Sequence, residues 1–285
     1  MSEDTQPNWI IDTTDADFES DVVNASQEQL VLVDFWASWC QPCRLLAPNL
    51  EQAVSRFNGE VRLVKVNTEI APETAQSFQI ESIPTVYAFL NGNPIDYFQG
   101  VIEAEEISRW IEQLQIHREI MAADLLTDTE PANAVAAWET LLLNDNENTV
   151  LQIGLARALS LSGESEKATS VIAKLEERGF LEPEAEKVKA MITLTSGSDD
   201  SDLASARRKY SEDSASNQNA MELAEALAAA SEYEEAFQIA IDVYASDKLG
   251  VGKAAHHFLL TAFKALPEDD ELVHKYRRKL AMLMY

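Results

Sequence analysis

The sequence predicts an α/β layer fold over residues 1–116 joined to an all-α helical repeat over residues 117–285. Three observations carry that division. Before His117, short apolar runs rich in β-branched and aromatic residues alternate with helix-period segments in the order βαβαβαββα, the pattern of a sheet covered by helices. From His117 onward the strand signals stop, Pro becomes sparse, and Ala, Leu and Glu dominate. Within that second part, similar residues recur at steps of 34. A chain of 285 residues is long enough for both parts.

In the first part, Trp9-Ile10-Ile11-Asp12 reads as a strand and Asp15 to Val23 as a helix with Thr14 as its N-cap. Leu30 to Trp36 is a near-continuous apolar run, hence a buried strand. The helix around Cys43 runs to about Phe57 and closes at Asn58-Gly59. Its apolar pattern continues through Leu50, Val54 and Phe57, so Pro48 should kink it rather than end it. Val61 to Asn67 is a strand and Pro72 to Phe78 a short helix. Thr85 to Leu90 is turned by Asn91-Gly92-Asn93-Pro94 into Ile95 to Phe98, a hairpin. Glu103 to Gln115 is the closing helix.

In the second part, Leu155-Ala156-Arg157-Ala158-Leu159 precedes Gly163 and Ala168, and Leu223-Ala224-Glu225-Ala226-Leu227 precedes Ser231 and Ala236. The offset is twice 34. Single steps give Ala122, Ala156, Ala190 and Ala224 in one register and Ala134, Ala168 and Ala236 in another; the step from Ala168 lands on Asp202. Small residues at such places let antiparallel helices approach closely. The pattern resembles a tetratricopeptide array of about four degenerate units; a plain helical bundle is the alternative. Candidate helices span 117–127, 131–144, 148–161, 165–178, 183–195, 201–212, 217–230, 233–246, 251–265 and 268–284, with a polar loop at 196–201. The last carries an apolar stripe of Tyr276, Leu280, Leu283 and Met284 beside Lys275, Arg277, Arg278 and Lys279. It reads as a cap on the final repeat, with partner docking as a second use.

The chemistry concentrates at Trp39-Cys40-Gln41-Pro42-Cys43, which holds the only two cysteines. The pair sits where a strand ends and a helix begins. Unpaired N–H groups and partial positive charge at a helix N-terminus favour a thiolate. Cys40 is therefore expected to be an ionised, reachable nucleophile, with Cys43, one turn on, resolving the mixed disulfide. Pro42 lacks an N–H that the first turn leaves unpaired in any case. Half of a zinc site is the alternative, but zinc takes four ligands, no second Cys-x-x-Cys exists, and His256 and His257 are adjacent on an apolar helix.

The segments Val33-Asp34-Phe35-Trp36-Ala37, Trp39 to Cys43, Ala47-Pro48, Ile83-Pro84-Thr85, Asn91-Gly92 and Gly100 together resemble the thioredoxin family over residues 8–116. Gln41 stands where that family usually has Gly. The resemblance implies an α/β thioredoxin-like fold. It also implies that Asp34 is buried beneath the cysteines and exchanges protons with Cys43, that Lys65 lies near Asp34, and that Pro84 is a cis-proline beside the disulfide, presenting backbone to bound peptide. Burial would raise the pKa of Asp34, as a base working near neutrality requires. Trp36, Trp39, Ile83, Pro84 and Gly100-Val101 are expected to form a shallow apolar platform. Trp39 precedes the nucleophile in the exposed loop and is the substrate contact expected there, whereas Trp36 is expected in the core.

The net charge of −27 repels nucleic acid outside the basic cluster at 275–279, so no nucleic-acid partner is expected. No apolar run of 18 residues exists, so no membrane span is expected either. Met1-Ser2-Glu3-Asp4 lacks the character of a signal peptide, which points to the cytoplasm. There a Cys-x-x-Cys is catalytic or redox-sensing rather than structural. No metal and no cofactor is called for.

A redox unit ahead of helical repeats in an acidic chain, with Asn93 to Gly100, Lys275 to Leu280 and Tyr285, resembles the bacterial chaperedoxin family, YbbN or CnoX. That resemblance implies a holdase that binds unfolding or oxidised client proteins, guards their cysteines and passes them to a GroEL-type chaperonin. With both cysteines present it implies disulfide reductase activity too. The alternatives are a dedicated reductase whose repeats recruit one partner and which thioredoxin reductase recharges, and a non-redox adaptor.

Overall fold

The structure is a computed structural model that describes residues 8–195 and 200–284. The expected loop at 196–201 falls largely outside them, as do Met1 to Asp4 and Tyr285. The chain divides into two compact units, Met1–Glu119 and Ile120–Tyr285.

The first unit is built on a five-stranded sheet: β1 (Ile10–Thr13), β2 (Leu30–Trp36), β3 (Val61–Asn67), β4 (Thr85–Leu90) and β5 (Asn93–Gln99). The spatial order is β1-β3-β2-β4-β5. β3 runs parallel to β1 and β2, while β4 is antiparallel to β2 and β5 to β4. The β4–β5 turn puts Asn91 and Gly92 at φ of 51° and 78°, the left-handed conformation that a two-residue hairpin turn requires.

Both faces of the sheet are covered, and alternation along β2 sorts its side chains. Leu30 and Leu32 face Leu46 and Leu50 of α1 (Gln41–Ser55) and Ile107 and Ile111 of α3 (Ala104–Thr129). Val31, Val33 and Phe35 face an aromatic layer of Phe18, Phe78 and Phe89, beside α2 (Pro72–Ser77). Asp34 thus shares the parity of the residues that face α1.

Pro48 lies inside α1, which, as expected, does not end there. Three other expectations change in detail. Thr14 makes no cap, because its hydroxyl donates to the Asp17 carboxylate (2.8 Å); the segment continues as a π-helix, Glu19–Asn24, and a 3-10 turn, Ala25–Gln27. The helices expected at 103–115 and 117–127 are one, α3, since no Gly or Pro stands between Ala104 and Thr129 to break it. The expected boundary at 116/117 therefore falls inside a helix. That continuous helix also sets its own register, burying Ala123 and leaving Ala122 exposed.

Among its described residues the second unit is all helix: α4 (Pro131–Asn144), α5 (Thr149–Leu161), α6 (Ser165–Glu176), α7 (Pro183–Thr195), α8 (Asp200–Glu212), α9 (Asn217–Ala229), α10 (Tyr233–Ser246), α11 (Gly252–Ala265) and α12 (Glu271–Met284). The even-numbered helices from α4 to α10 begin at Pro131, Ser165, Asp200 and Tyr233, and the odd-numbered ones from α5 to α11 at Thr149, Pro183, Asn217 and Gly252, each step within one residue of 34. Ala134, Ala168, Ala236, Ala156, Ala190 and Ala224 are all buried at the helix crossings. The stack is not uniform, because α7 packs on α11, where Lys264 reaches Glu186 (2.9 Å). Among the described residues, no helix is long and apolar enough to cross a membrane.

Tyr276, Val273 and Leu280 of α12 are buried against the repeat, with Tyr276 edge-on to Phe237. The basic residues of α12 are all engaged: Lys275 pairs with Glu234, Lys279 donates to Gln238, Arg277 to the Phe263 carbonyl and Arg278 to the His274 carbonyl. This helix caps the array.

Candidate redox site

The site begins where β2 ends. Trp36 leads into Ala37, which is fully buried, and the Cys40 N–H donates back to the Ala37 carbonyl (3.1 Å). The intervening Ser38 is held from the end of β3: its N–H and hydroxyl both donate to Glu69 (3.1 and 2.7 Å). Those two bonds keep the Glu69 carboxyl below the usual carboxylate range. The Thr68 N–H and hydroxyl bind the Trp36 carbonyl, closing the junction between the two segments.

Cys40 is the N-cap of α1, with extended backbone and Pro42 in the first turn. The Cys43 N–H points at the Cys40 sulfur (3.1 Å), and the two sulfurs are joined in a disulfide. This helix end therefore aims a backbone N–H at the sulfur expected to carry negative charge. Ile83 reaches the same sulfur from the sheet side, its carbonyl oxygen 3.8 Å away. The Ile83–Pro84 peptide bond is cis, and the Pro84 carbonyl accepts from the Gly100 N–H (2.9 Å).

Access differs from expectation. In the disulfide form both cysteines are only 3% exposed, because Ala37, Trp36 and Ile83 pack around them. The apolar platform is likewise uneven. Trp39 is 67% exposed and Val101 stands clear, whereas Trp36, Ile83 and Gly100 are half-buried and Pro84 is buried. Pro84 packs inward because its strand continues directly into the sheet at Thr85. Trp36 is only half in the core, against the cysteines, and its indole N–H is buried without a partner.

On β2, two residues before Trp36, Asp34 is 2% exposed, with Oδ1 lacking a hydrogen-bond partner. Burial pushes its carboxyl from the ordinary 3.8 up to about 7, against the pull of Lys65 and with a smaller push from Glu51. Lys65 is the register neighbour of Asp34 on β3. The Lys65 ammonium, however, is bonded to Glu51 of α1. A carboxyl near 7 suits proton exchange with a thiol at neutral pH. Among the described residues, no group of three or more His, Cys, Asp or Glu side chains is placed to hold a metal ion.

Sequence reasoning missed Glu51 and Glu69. A signal for the first existed: Glu51 is the only acidic residue of α1, on the helix that covers the face to which Asp34 and Lys65 point. None existed for Glu69, whose partner lies 31 residues away.

Comparison with known proteins follows the same division. A thioredoxin family model matches residues 9–113, and a tetratricopeptide repeat model matches residues 196–285. Thioredoxin 1 of Nostoc sp. is 37% identical over 100 residues, covering 35% of this chain and 92% of that protein. Thioredoxin of Synechocystis sp. is 39% identical over 100 residues, with the same coverage. Thioredoxin of Staphylococcus aureus (strain Mu50) is 36% identical over 104 residues, covering 36% of this chain and 96% of that protein.

Proposed function

The chain belongs to the thioredoxin family, and from that premise we propose that it is a thiol–disulfide exchange protein whose helical repeat holds its substrates: a redox-active holdase. The observation that carries the redox half is the Cys43 N–H directed at the Cys40 sulfur at the start of α1. In the reduced protein, the Cys40 thiolate attacks one sulfur of a client disulfide. A mixed disulfide forms and the client's other sulfur leaves as thiolate. The Cys43 thiol then gives its proton to the Asp34 carboxylate and attacks the Cys40 sulfur, so the second client thiolate departs and the Cys40–Cys43 disulfide forms. The client gains two electrons and this protein loses two. An NADPH-dependent thioredoxin reductase is the class of partner that would restore the dithiol.

Lys65 tunes the acceptor in this scheme. Trp39, Ile83 and the Pro84 backbone make the client-binding edge, with Trp39 the group most open to a chain passing over Cys40. The tetratricopeptide helices supply stacked helix pairs, a form suited to gripping polypeptide. Holding of unfolding clients, their delivery to a GroEL-type chaperonin and a cytoplasmic setting are supported by the resemblance to chaperedoxins. The test is aggregation of a heat-unfolded, cysteine-free client. The wild type and a Cys40→Ser, Cys43→Ser double variant are expected to suppress it equally. Loss of all suppression in the double variant, or none in the wild type, would contradict the holdase.

One observation favours a second reading, a dedicated reductase with a single recruited partner. Packing of α7 on α11 interrupts the regular stacking that a continuous, promiscuous groove would use. On that reading the protein catalyses NADPH-coupled disulfide reduction and leaves aggregation unchanged.

A further inference from the structure

Three charged groups step outward from the site. Asp34 is buried with one oxygen unpartnered, its neighbour Lys65 is 14% exposed, and Glu51, bonded to Lys65, is 41% exposed. β3 contributes the ammonium and α1 the outer carboxylate, while on the other side β4 sets apolar Val86 opposite Asp34. Among the described residues, Lys65 and Glu51 are the ionic groups that act on the buried carboxyl.

An ammonium beside a buried carboxylate favours the ionised form and weakens it as a base. Here the ammonium is taken by a different acid, on a different element. We propose, building on the reading of Asp34 as proton acceptor, that Glu51 is a positioning residue for the exchange reaction: by binding the Lys65 ammonium at the solvent edge it keeps Asp34 a strong enough base to take the Cys43 proton. Glu51 touches neither cysteine nor client in this scheme; it acts through Lys65. The arrangement explains why a lysine can stand on the inner face of β3 without locking the acid beside it into its charged form.

The signs follow from the charges. Replacing Glu51 by Gln removes a negative charge and frees Lys65 to act on Asp34, and both effects lower the Asp34 midpoint. Replacing Lys65 by Met removes the cation and raises it. If Glu51 works mainly through Lys65, Glu51→Gln keeps only the smaller effect of its own charge once Lys65 is Met, and a double-mutant cycle isolates the difference.

The experiment is a carbon-13 NMR titration of the Asp34 carboxyl in the oxidised full-length protein. It uses the wild type, Glu51→Gln, Lys65→Met and the double variant, with the pH profile of insulin disulfide reduction measured alongside. Glu51→Gln is expected to lower the Asp34 midpoint by about one pH unit, to shift it far less in the Lys65→Met background, and to move the reduction profile in the same direction. An equal shift in both backgrounds, or none in either, overturns the proposal at Glu51 itself. A midpoint that moves as stated while neither Glu51→Gln nor Asp34→Asn alters the reduction profile overturns it at the proton-acceptor reading instead.

Discussion

Asp34 is the residue at which structure and function pull apart. Its folded-state carboxyl titrates near 7 rather than 3.8, so between those values the folded protein binds more protons than the unfolded chain. Stability is therefore expected to fall as pH rises from about 4 to about 7, and to change little beyond from this cause. The interval is worth about 4 kcal/mol at about 1.4 kcal/mol per pH unit. Asp34→Asn should flatten that slope and stabilise the oxidised protein at pH 8 by up to this amount, measured as urea midpoints across pH, while slowing disulfide reduction. An unchanged slope would remove the buried acid from the account. Glu69→Ala should release Ser38 and speed amide exchange there several-fold, with the fold intact. The Cys40–Cys43 pair was legible in one short motif, and the burial of Asp34 followed from the resemblance to thioredoxins. Glu69 was not legible, because its partner lies 31 residues away; Glu51, the only acidic residue of α1, carried a signal that became readable only with α1 packed on the sheet.

At the scale of elements, the repeat is held by close approaches that tolerate no added atom. Trp138 is buried, its indole N–H donates to Thr127 (2.9 Å), and a Cβ on Gly154 would lie 2.5 Å from its ring. Gly154→Ala is expected to destabilise the helical unit by about 1–3 kcal/mol, read from denaturant midpoints. An unchanged midpoint would mean that α4 and α5 are not packed as described. In α12, Tyr276→Ala should cost about 3–5 kcal/mol, because a large buried ring leaves a cavity against Phe237. Tyr276→Phe loses only the two 3.3 Å hydroxyl contacts with the Glu234 carbonyl and Gln238, about 1 kcal/mol. The helix starts were readable because a 34-residue period imposes small residues at crossings. The merging of two expected helices into α3 was not, since an absence of breakers permits continuity without demanding it. The packing of α7 on α11 was hidden for another reason: both helices carry apolar faces, and sequence does not say which faces meet.

In the molecule as a whole, an exchange centre and a helical array share one strongly acidic chain. The thioredoxin match spans only about a third of it, so the redox chemistry is family property and the holding is the larger claim about this chain. Fold class was legible for both units, because strand alternation and repeat period are global patterns. Access to the sulfurs was not, because it depends on packing between segments far apart in the chain: Ile83 joins Trp36 and Ala37 in the nest around both cysteines. For exchange to run, reduction must open that nest and leave Cys40 as the reactive partner. Iodoacetamide labelling of the reduced protein, followed across pH and assigned to each cysteine by mass spectrometry, tests this most directly. Cys40 is expected to react at neutral pH well ahead of Cys43 and of an ordinary thiol, whose ionisation is centred at about 8.5. Equal labelling of the two cysteines at the rate of an ordinary thiol would contradict the account.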